Sequence, residues 1–262
     1  MLRSLRTAAL GMAAQQLNID TIANNLANVN TSGFKKSNIE FQDLLYETIQ
    51  SGAGESANGN EKPAEIQIGL GNRPVSTYKS FSQGNITETG NPLDIAINGM
   101  GFLQVSQPDG GYAYTRDGAL RINSNGNLVT PAGLLISPEI TLPEGITSIN
   151  VSQEGTLSVL ISGDTMPQEV GQLELASFMN PAGLRSIGGN LYIETESSGP
   201  AATGTPGEEG FGAVVQGYLE KSNVDVVQEM INLIVAQRSY EINSKAVKTA
   251  DELMAMINQL KR

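Results

Sequence analysis

Apolar positions step by three and four at both ends of the chain and by two through much of its middle. Leu2, Leu5, Ala9, Met12, Gln16, Ile19, Ala23 and Leu26 follow a heptad-like spacing with Gln16 as its polar exception, which predicts an amphipathic helix within residues 1–30. Leu10, Leu17 and Ile22 widen the stripe beyond a two-stranded seam, and the Asn, Thr, Ser and Gly of residues 28–33 predict its end. Gly11 is a weak point, costing about 1 kcal/mol relative to Ala. At the other end, Val226, Leu233, Tyr240, Val247 and Met254 recur every seven residues. Ala236, Ala250 and Ile257 fill companion positions, which Glu229 and Asn243 interrupt. Ser222-Asn223-Val224-Asp225 reads as a capping box, and the stretch from Ser222 to Arg262 contains no Gly or Pro. One helix of about 60 Å fits it at 1.5 Å per residue.

Between the ends the period changes. Ile66, Ile68 and Leu70 alternate with Gln67 and Gly69. Residues 84–221 read as all-β, with strand-like runs at 93–97, 102–105, 112–115, 120–122, 128–129, 146–151, 156–161, 170–176, 191–193 and 213–219. Asn98-Gly99, Asp109-Gly110, Asp117-Gly118, Asn125-Gly126 and Glu154-Gly155 supply the turn signals. Residues 31–83 read as an extended linker holding a flexible polar tract at about 46–66. The expected class is α+β. Terminal helices at 1–30 and 222–262 pair as a discontinuous, coiled-coil-like assembly domain, and an all-β outer domain is inserted at 84–221. Two helical seams at opposite termini imply that the ends meet, in one chain or between neighbouring chains.

Composition narrows the chemistry. The 262 residues include no Cys and no His, which excludes disulfides, thiolate nucleophiles and Cys/His metal centres, and removes the commonest acid–base side chain. The formal net charge is −11. Residues 1–40 contribute +2 and residues 222–262 contribute 0, so subtraction leaves −13 to the middle. Near-neutral ends can approach one another, and the acidic middle argues against a nucleic-acid partner. Polar residues interrupt the first helix, so no cleavable leader is expected, and no apolar run reaches the ~20 residues of a membrane span.

Candidate catalytic groups dissolve into turn chemistry. Gly99-Met100-Gly101-Phe102 lacks the third glycine and the following helix of a phosphate loop, and reads as a hairpin turn. Asp109, Asp117, Glu139, Glu144 and Glu154 each sit beside a turn Gly or Pro. Asn123-Ser124-Asn125-Gly126-Asn127 has no carboxylate to bind calcium. No catalytic residue, metal or cofactor is expected.

Several motifs carry a resemblance that runs in order from end to end. Ala23-Asn24-Asn25-Leu26-Ala27-Asn28-Val29 with Thr31-Ser32-Gly33-Phe34-Lys35 resembles the N-terminal signature of bacterial flagellar rod and hook proteins. Asn98-Gly99-Met100-Gly101-Phe102, Tyr114-Thr115-Arg116-Asp117-Gly118 and Gln216-Gly217-Tyr218-Leu219-Glu220-Lys221-Ser222-Asn223-Val224 are similar to internal motifs of that family. Gln237-Arg238-Ser239-Tyr240-Glu241-Ile242-Asn243-Ser244-Lys245-Ala246 resembles its C-terminal motif. Leu103 departs from the pattern, where an aromatic is more usual. Within the family the chain is most similar to distal rod subunits, by its length, Asp43-Leu44-Leu45-Tyr46, Gln67-Ile68-Gly69-Leu70-Gly71 and Arg73-Pro74. Proximal rod subunits are the alternative.

The resemblance implies a structural, non-enzymatic axial protein that self-assembles into a helical tube and transmits torque from motor to hook. Its partners would be further copies, neighbouring rod and hook subunits, the ring proteins that act as bushings, and the type III export apparatus. Its location would be the basal body, reached without a cleaved signal and spanning the periplasm where the cell has an outer membrane. The expected assembly seam is Leu2, Leu5, Met12, Ile19, Leu26, Val226, Leu233, Tyr240, Val247, Met254 and Ile257. The family motif residues are Asn24, Asn25, Leu26, Asn28, Gly33, Phe34, Gln237, Arg238, Tyr240 and Asn243. Two readings from other classes stand beside it: a secreted carbohydrate-binding β-domain with helical oligomerisation arms, and an adhesin or scaffold closing at a fixed size.

Overall fold

The computed structural model describes residues 2–50, 66–163 and 166–260, with the backbone alone for Leu2, Gln50 and Leu260. Most of the polar tract expected at about 46–66 therefore lies outside the described residues. The chain forms two compact units. The first draws on the described residues of 1–26, 37–78 and 226–262, and the second on residues 27–36 and 79–225.

In the first unit, helix α1 spans Leu2–Ala27 and helix α2 spans Val226–Leu260. The second helix opens at Val226, so Asp225 takes the capping position. Ser222 lies outside the helix, its hydroxyl accepting the Val224 N–H at 3.3 Å in a local turn. The linker region is more ordered than its polarity foretells. Strands β1 (Ser37–Asp43), β2 (Tyr46–Gln50), β3 (Ile66–Gly69) and β4 (Asn72–Lys79) form two antiparallel pairs, β1 with β4 and β2 with β3. Pairing of Tyr46 with Gly69 and of Gln50 with Ile66 ties together the two ends of the tract.

The second unit is β-rich. Its strands are β5 (Ile86–Glu88), β6 (Ile95–Asn98), β7 (Phe102–Ser106), β8 (Tyr112–Thr115), β9 (Arg121–Ile122), β10 (Leu128–Val129), β11 (Ile136–Ser137) and β12 (Ile146–Val151). They continue with β13 (Thr156–Ile161), β14 (Gln168–Gln172), β15 (Leu175–Ser177), β16 (Arg185–Gly188), β17 (Leu191–Ile193), β18 (Ala202–Gly204), β19 (Ala213–Gln216) and β20 (Tyr218–Glu220). A seven-stranded sheet runs β16-β17-β8-β7-β15-β18, with β11 also pairing with β7. A second sheet is β12-β13-β14, and β6 pairs with β19, β5 with β20 and β9 with β10.

Strand β7 organises the core because both of its faces are buried. Leu103 joins Ile95, Leu120, Leu157, Leu173, Leu175 and Val214 on one side. Phe102, one residue earlier and so on the opposite face, packs with Tyr114, Phe178 and Tyr192 on the other. Leucine at 103 is therefore a core residue filling an aliphatic cluster.

Two turn expectations and two strand expectations change in the structure. Gly99 and Gly101, at φ 118° and 129°, do not close a hairpin. They carry the chain from β6, paired with β19, to β7 in the large sheet. Gly118 adopts no positive φ, and a Cβ there would stand 1.6 Å from the Ile95 carbonyl oxygen, so close backbone approach demands the glycine. The run at 170–176 divides between β14 and β15 in different sheets, and the run at 213–219 breaks at Gly217, φ 78°.

Candidate assembly faces and the motif-bearing ion cluster

In the second unit, three charges that the sequence scatters across 185 residues meet in the interior. The Glu220 carboxylate accepts the Lys35 ammonium at 2.5 Å and the Gly84 N–H at 2.8 Å through Oε1, and the Arg116 guanidinium at 3.5 Å through Oε2. The Lys35 and Glu220 side chains are both 0% exposed. Lys35 also donates to the Ser82 carbonyl at 2.8 Å, and Arg116 Nη2 to the Gly99 carbonyl at 2.7 Å. Arg116 lies 5.3 Å from the Phe102 ring centroid, and its buried Nε has no hydrogen-bond partner. Burial holds the Lys35 ammonium below the usual lysine range, with the Glu220 carboxylate opposing. Burial likewise lowers Arg116, again opposed by Glu220. A carboxylate clasped by two cations and a backbone amide, sealed from water, fixes geometry and leaves no free acid or base.

Neighbouring motif residues extend this clasp. Gly33 (φ 68°) lets the chain pass 2.6 Å, at the position of a Cβ, from the Asp117 N–H nitrogen, and its own N–H reaches the Glu220 carbonyl at 2.8 Å. Phe34 is buried, with the Lys79 ammonium 4.4 Å from its ring centroid. Asn223 Oδ1 accepts the Lys36 N–H at 2.8 Å while its Nδ2 donates to the Ser80 carbonyl at 2.8 Å. Asn28 Oδ1 accepts the Thr31 hydroxyl at 3.2 Å.

In the first unit, two contacts between the described residues of the helices fix their direction. Asn25 Nδ2 reaches Glu229 Oε2 at 3.5 Å, and a Cβ on Gly11 would stand 2.9 Å from Asn243 Nδ2. These contacts are two heptads apart on each helix and run in opposite order, so α1 and α2 are antiparallel there. Gly11, costly to an isolated helix, makes room for Asn243. The two interruptions of the C-terminal pattern, Glu229 and Asn243, thus have partners on α1. Asn25 is further fixed by β1, accepting the Ser37 N–H and donating to the Ser37 carbonyl, both at 2.9 Å.

The buried stripe consists of Ala8, Ala14, Ile22 and Asn25 on α1, and Glu229, Ala236 and Ala250 on α2. Interdigitated large apolar side chains do not fill the space between them. A polar cleft of about 300 Å³ opens there, lined by Gln15, Asn18, Asn25, Asn38, Glu229 and Asn232 among others. The expected seam residues flank the stripe. Leu5, Met12, Ile19, Leu26, Leu233, Val247 and Met254 are half-buried, while Val226, Tyr240 and Ile257 are exposed. Leu2 lies in α1, and its side chain is outside the described residues. Of the other motif residues, Asn24, Gln237 and Arg238 are exposed, and Asn243 is half-buried. The α2 face opposite the stripe keeps Val227, Ile231, Ile234 and Ile242 exposed.

In the sequence, Lys35, Arg116 and Glu220 stand only as members of three separate motifs, with no role visible there. The available signal was a charge set beside large apolar residues in each motif, at Phe34-Lys35, Tyr114-Thr115-Arg116 and Leu219-Glu220. Among the described residues no group of carboxylates could hold a metal ion, and no helix is long and apolar enough to cross a membrane.

Three family models match in chain order: the flagella basal body rod protein at residues 5–35, the flagellar hook protein FlgE/F/G D1 domain at 96–159, and the flagellar basal body rod FlgEFG protein C-terminal at 215–260. Each matched segment contributes one charge to the buried cluster: Lys35, Arg116 and Glu220. The flagellar basal-body rod protein FlgG of Borreliella burgdorferi is 49% identical over 264 residues, covering 100% of both chains. That of Caulobacter vibrioides is 48% identical over 261 residues, covering 99% of this chain and 100% of the relative. That of Bacillus subtilis is 39% identical over 268 residues, covering 100% of both. With identity of this order over its whole length, the chain belongs to the flagellar basal-body rod protein family and is a structural component of the rod, not an enzyme.

Proposed function

We propose that this chain is a distal rod subunit, polymerising through α1 and α2 into a helical tube that passes torque toward the hook. The observation that carries the reading is the exposed apolar face of α2: Val227, Ile231, Ile234 and Ile242, at helical spacing. Such a face loses water when a second copy covers it. A donor face and an acceptor face on different sides of one helix give a heterologous contact, which propagates as an open array. In this reading the helices at 1–30 and 222–262 form the assembly domain and pair in a coiled-coil-like manner once neighbours complete the seam. The segment 31–83 works as a spacer, and the acidic β-rich part at 84–221 meets the ring proteins. Neighbouring rod and hook subunits cap the two ends of the tube. Export proceeds through the flagellar apparatus without a cleaved leader, and the rod crosses the periplasm where an outer membrane exists.

The tract at about 46–66 is proposed to stiffen the shaft by wedging between copies. The β2–β3 pairing, which ties its two ends together, supports that role. The test is polymerisation of the purified chain at rising concentration, imaged by electron microscopy, with and without residues 51–65. Growing tubes that bend more easily after the deletion are expected. A finite oligomer of fixed stoichiometry contradicts the tube, and unchanged bending stiffness contradicts the role of the tract.

A further inference from the structure

Glu229 is 4% exposed on the wall of the polar cleft in the first unit, and its hydrogen bond from Asn25 is a long 3.5 Å. Among the described residues no Lys or Arg nitrogen lies within ion-pair distance of it. A buried carboxylate facing a cleft of about 300 Å³ lined by amide side chains is built to receive a cation that also donates several hydrogen bonds. On α2 the exposed apolar face has Arg238 within it, and Lys245 stands three residues beyond Ile242 on the same side. Arg238, its side chain 73% exposed, sits among Ile231, Ile234 and Ile242, at 50%, 56% and 65% exposure, each four or seven residues away along the helix. Covering that face with another copy strips water from Arg238, whose partner within the chain is the exposed Glu241 carboxylate at 2.9 Å. Residues nine apart on an α-helix point about 180° away from each other. Arg238 and Glu229 therefore look out of opposite sides of the same helix.

We propose that the cleft is the receptor for Arg238 of a second copy, whose guanidinium pairs with Glu229 as the apolar face of that copy closes over it. The proposal rests on the assembly reading above and gives it a register. Each subunit offers its Arg238 to one neighbour and its cleft to the next, a contact that propagates without closing. The planar guanidinium, with five donors, matches a carboxylate flanked by Asn18, Asn25 and Asn232 better than a lysine ammonium does.

The chain has no cysteine, which makes the test direct. Cells co-express full-length Glu229→Cys and Arg238→Cys copies; basal bodies are isolated and oxidised, and cross-linked species are identified by mass spectrometry. The expected result is a 229–238 linkage between copies in the basal body, absent from the dilute subunits. Incorporated cysteine copies that yield no 229–238 linkage overturn the pairing while leaving the rod assignment standing. Absence of the unsubstituted chain from basal bodies overturns the assembly reading itself. Should the cysteine copies fail to incorporate, Glu229→Arg, Arg238→Glu and the double swap decide. Loss in both singles with recovery in the double supports the pairing, and loss in all three overturns it. Arg238→Lys is expected to weaken incorporation several-fold.

Discussion

Replacing Glu220 by Gln removes the shared countercharge of Lys35 and Arg116 without changing side-chain shape. Both the Lys35 and Glu220 side chains are wholly enclosed, so water cannot take over the lost role. A glutamine oxygen in the Oε1 position can still accept the Gly84 N–H and the Lys35 ammonium, but its NH₂ then faces the Arg116 donor. Removing one partner of a buried pair costs about 3–5 kcal/mol. With two buried cations left without a countercharge, the expected loss lies near 4 kcal/mol, a large fraction of a domain's ~5–15 kcal/mol. Lys35→Met is expected to cost less, since Arg116 and Gly84 keep their carboxylate. Arg3→Gln, which breaks a half-exposed pair with Glu47, should cost no more than about 1 kcal/mol. Urea unfolding of dilute subunits, followed by circular dichroism and tyrosine fluorescence, gives all three values. A Glu220→Gln cost below about 1 kcal/mol, or one smaller than that of Lys35→Met, refutes the view that Glu220 is the hub of the cluster.

Gly118→Ala drives a Cβ into the Ile95 carbonyl at 1.6 Å and should destabilise by about 2 kcal/mol or more, checked by the same unfolding assay. Tyr192 holds its proton up to about 12, chiefly through burial. An unfolded tyrosine releases its proton near 10, so between these values the folded state binds more protons and stability falls as pH rises, by about 3 kcal/mol in all. Lys35 and Lys79, lowered by burial, act with the opposite sign just below 10.5. Tyr192→Phe should remove the larger part of the decline in unfolding curves taken at stepped alkaline pH, leaving the part due to Tyr114, whose proton burial also holds above the usual tyrosine range. Leu233→Asp places a charge on the proposed seam and should prevent tube formation, scored by electron microscopy, while the β-rich unit keeps its circular dichroism signature.

Both helices were legible because their apolar spacing is locally complete, and their ends follow from composition at 28–33 and from the Gly/Pro-free stretch after Ser222. Strands such as Tyr112–Thr115 and Thr156–Ile161 were legible for the same reason, since each carries a short apolar run between turn residues. The strands at Asn72–Lys79 and Arg185–Gly188 were not, because their residues stay largely solvated and leave no period to read. Phase on the helices was harder than existence. A heptad rule favours the large residues Leu233 and Tyr240, yet the buried positions are the smaller or polar Asn25, Glu229 and Ala236, and the half-buried Gly11 meets Asn243. Their complementarity depends on both helices at once. The ion cluster was illegible for a related reason: its three charges belong to three distant motifs, and burial, which gives them meaning, is a property of the fold.

The central claim is that the apolar face of α2 is open in the subunit and closed in the rod. Amide hydrogen exchange across residues 226–260, in dilute subunits and in tubes confirmed by electron microscopy, tests it most directly. Fast exchange in the subunit with strong protection appearing on assembly is the expected result. Helices already fully protected in a monodisperse subunit, and unchanged in the polymer, would contradict it.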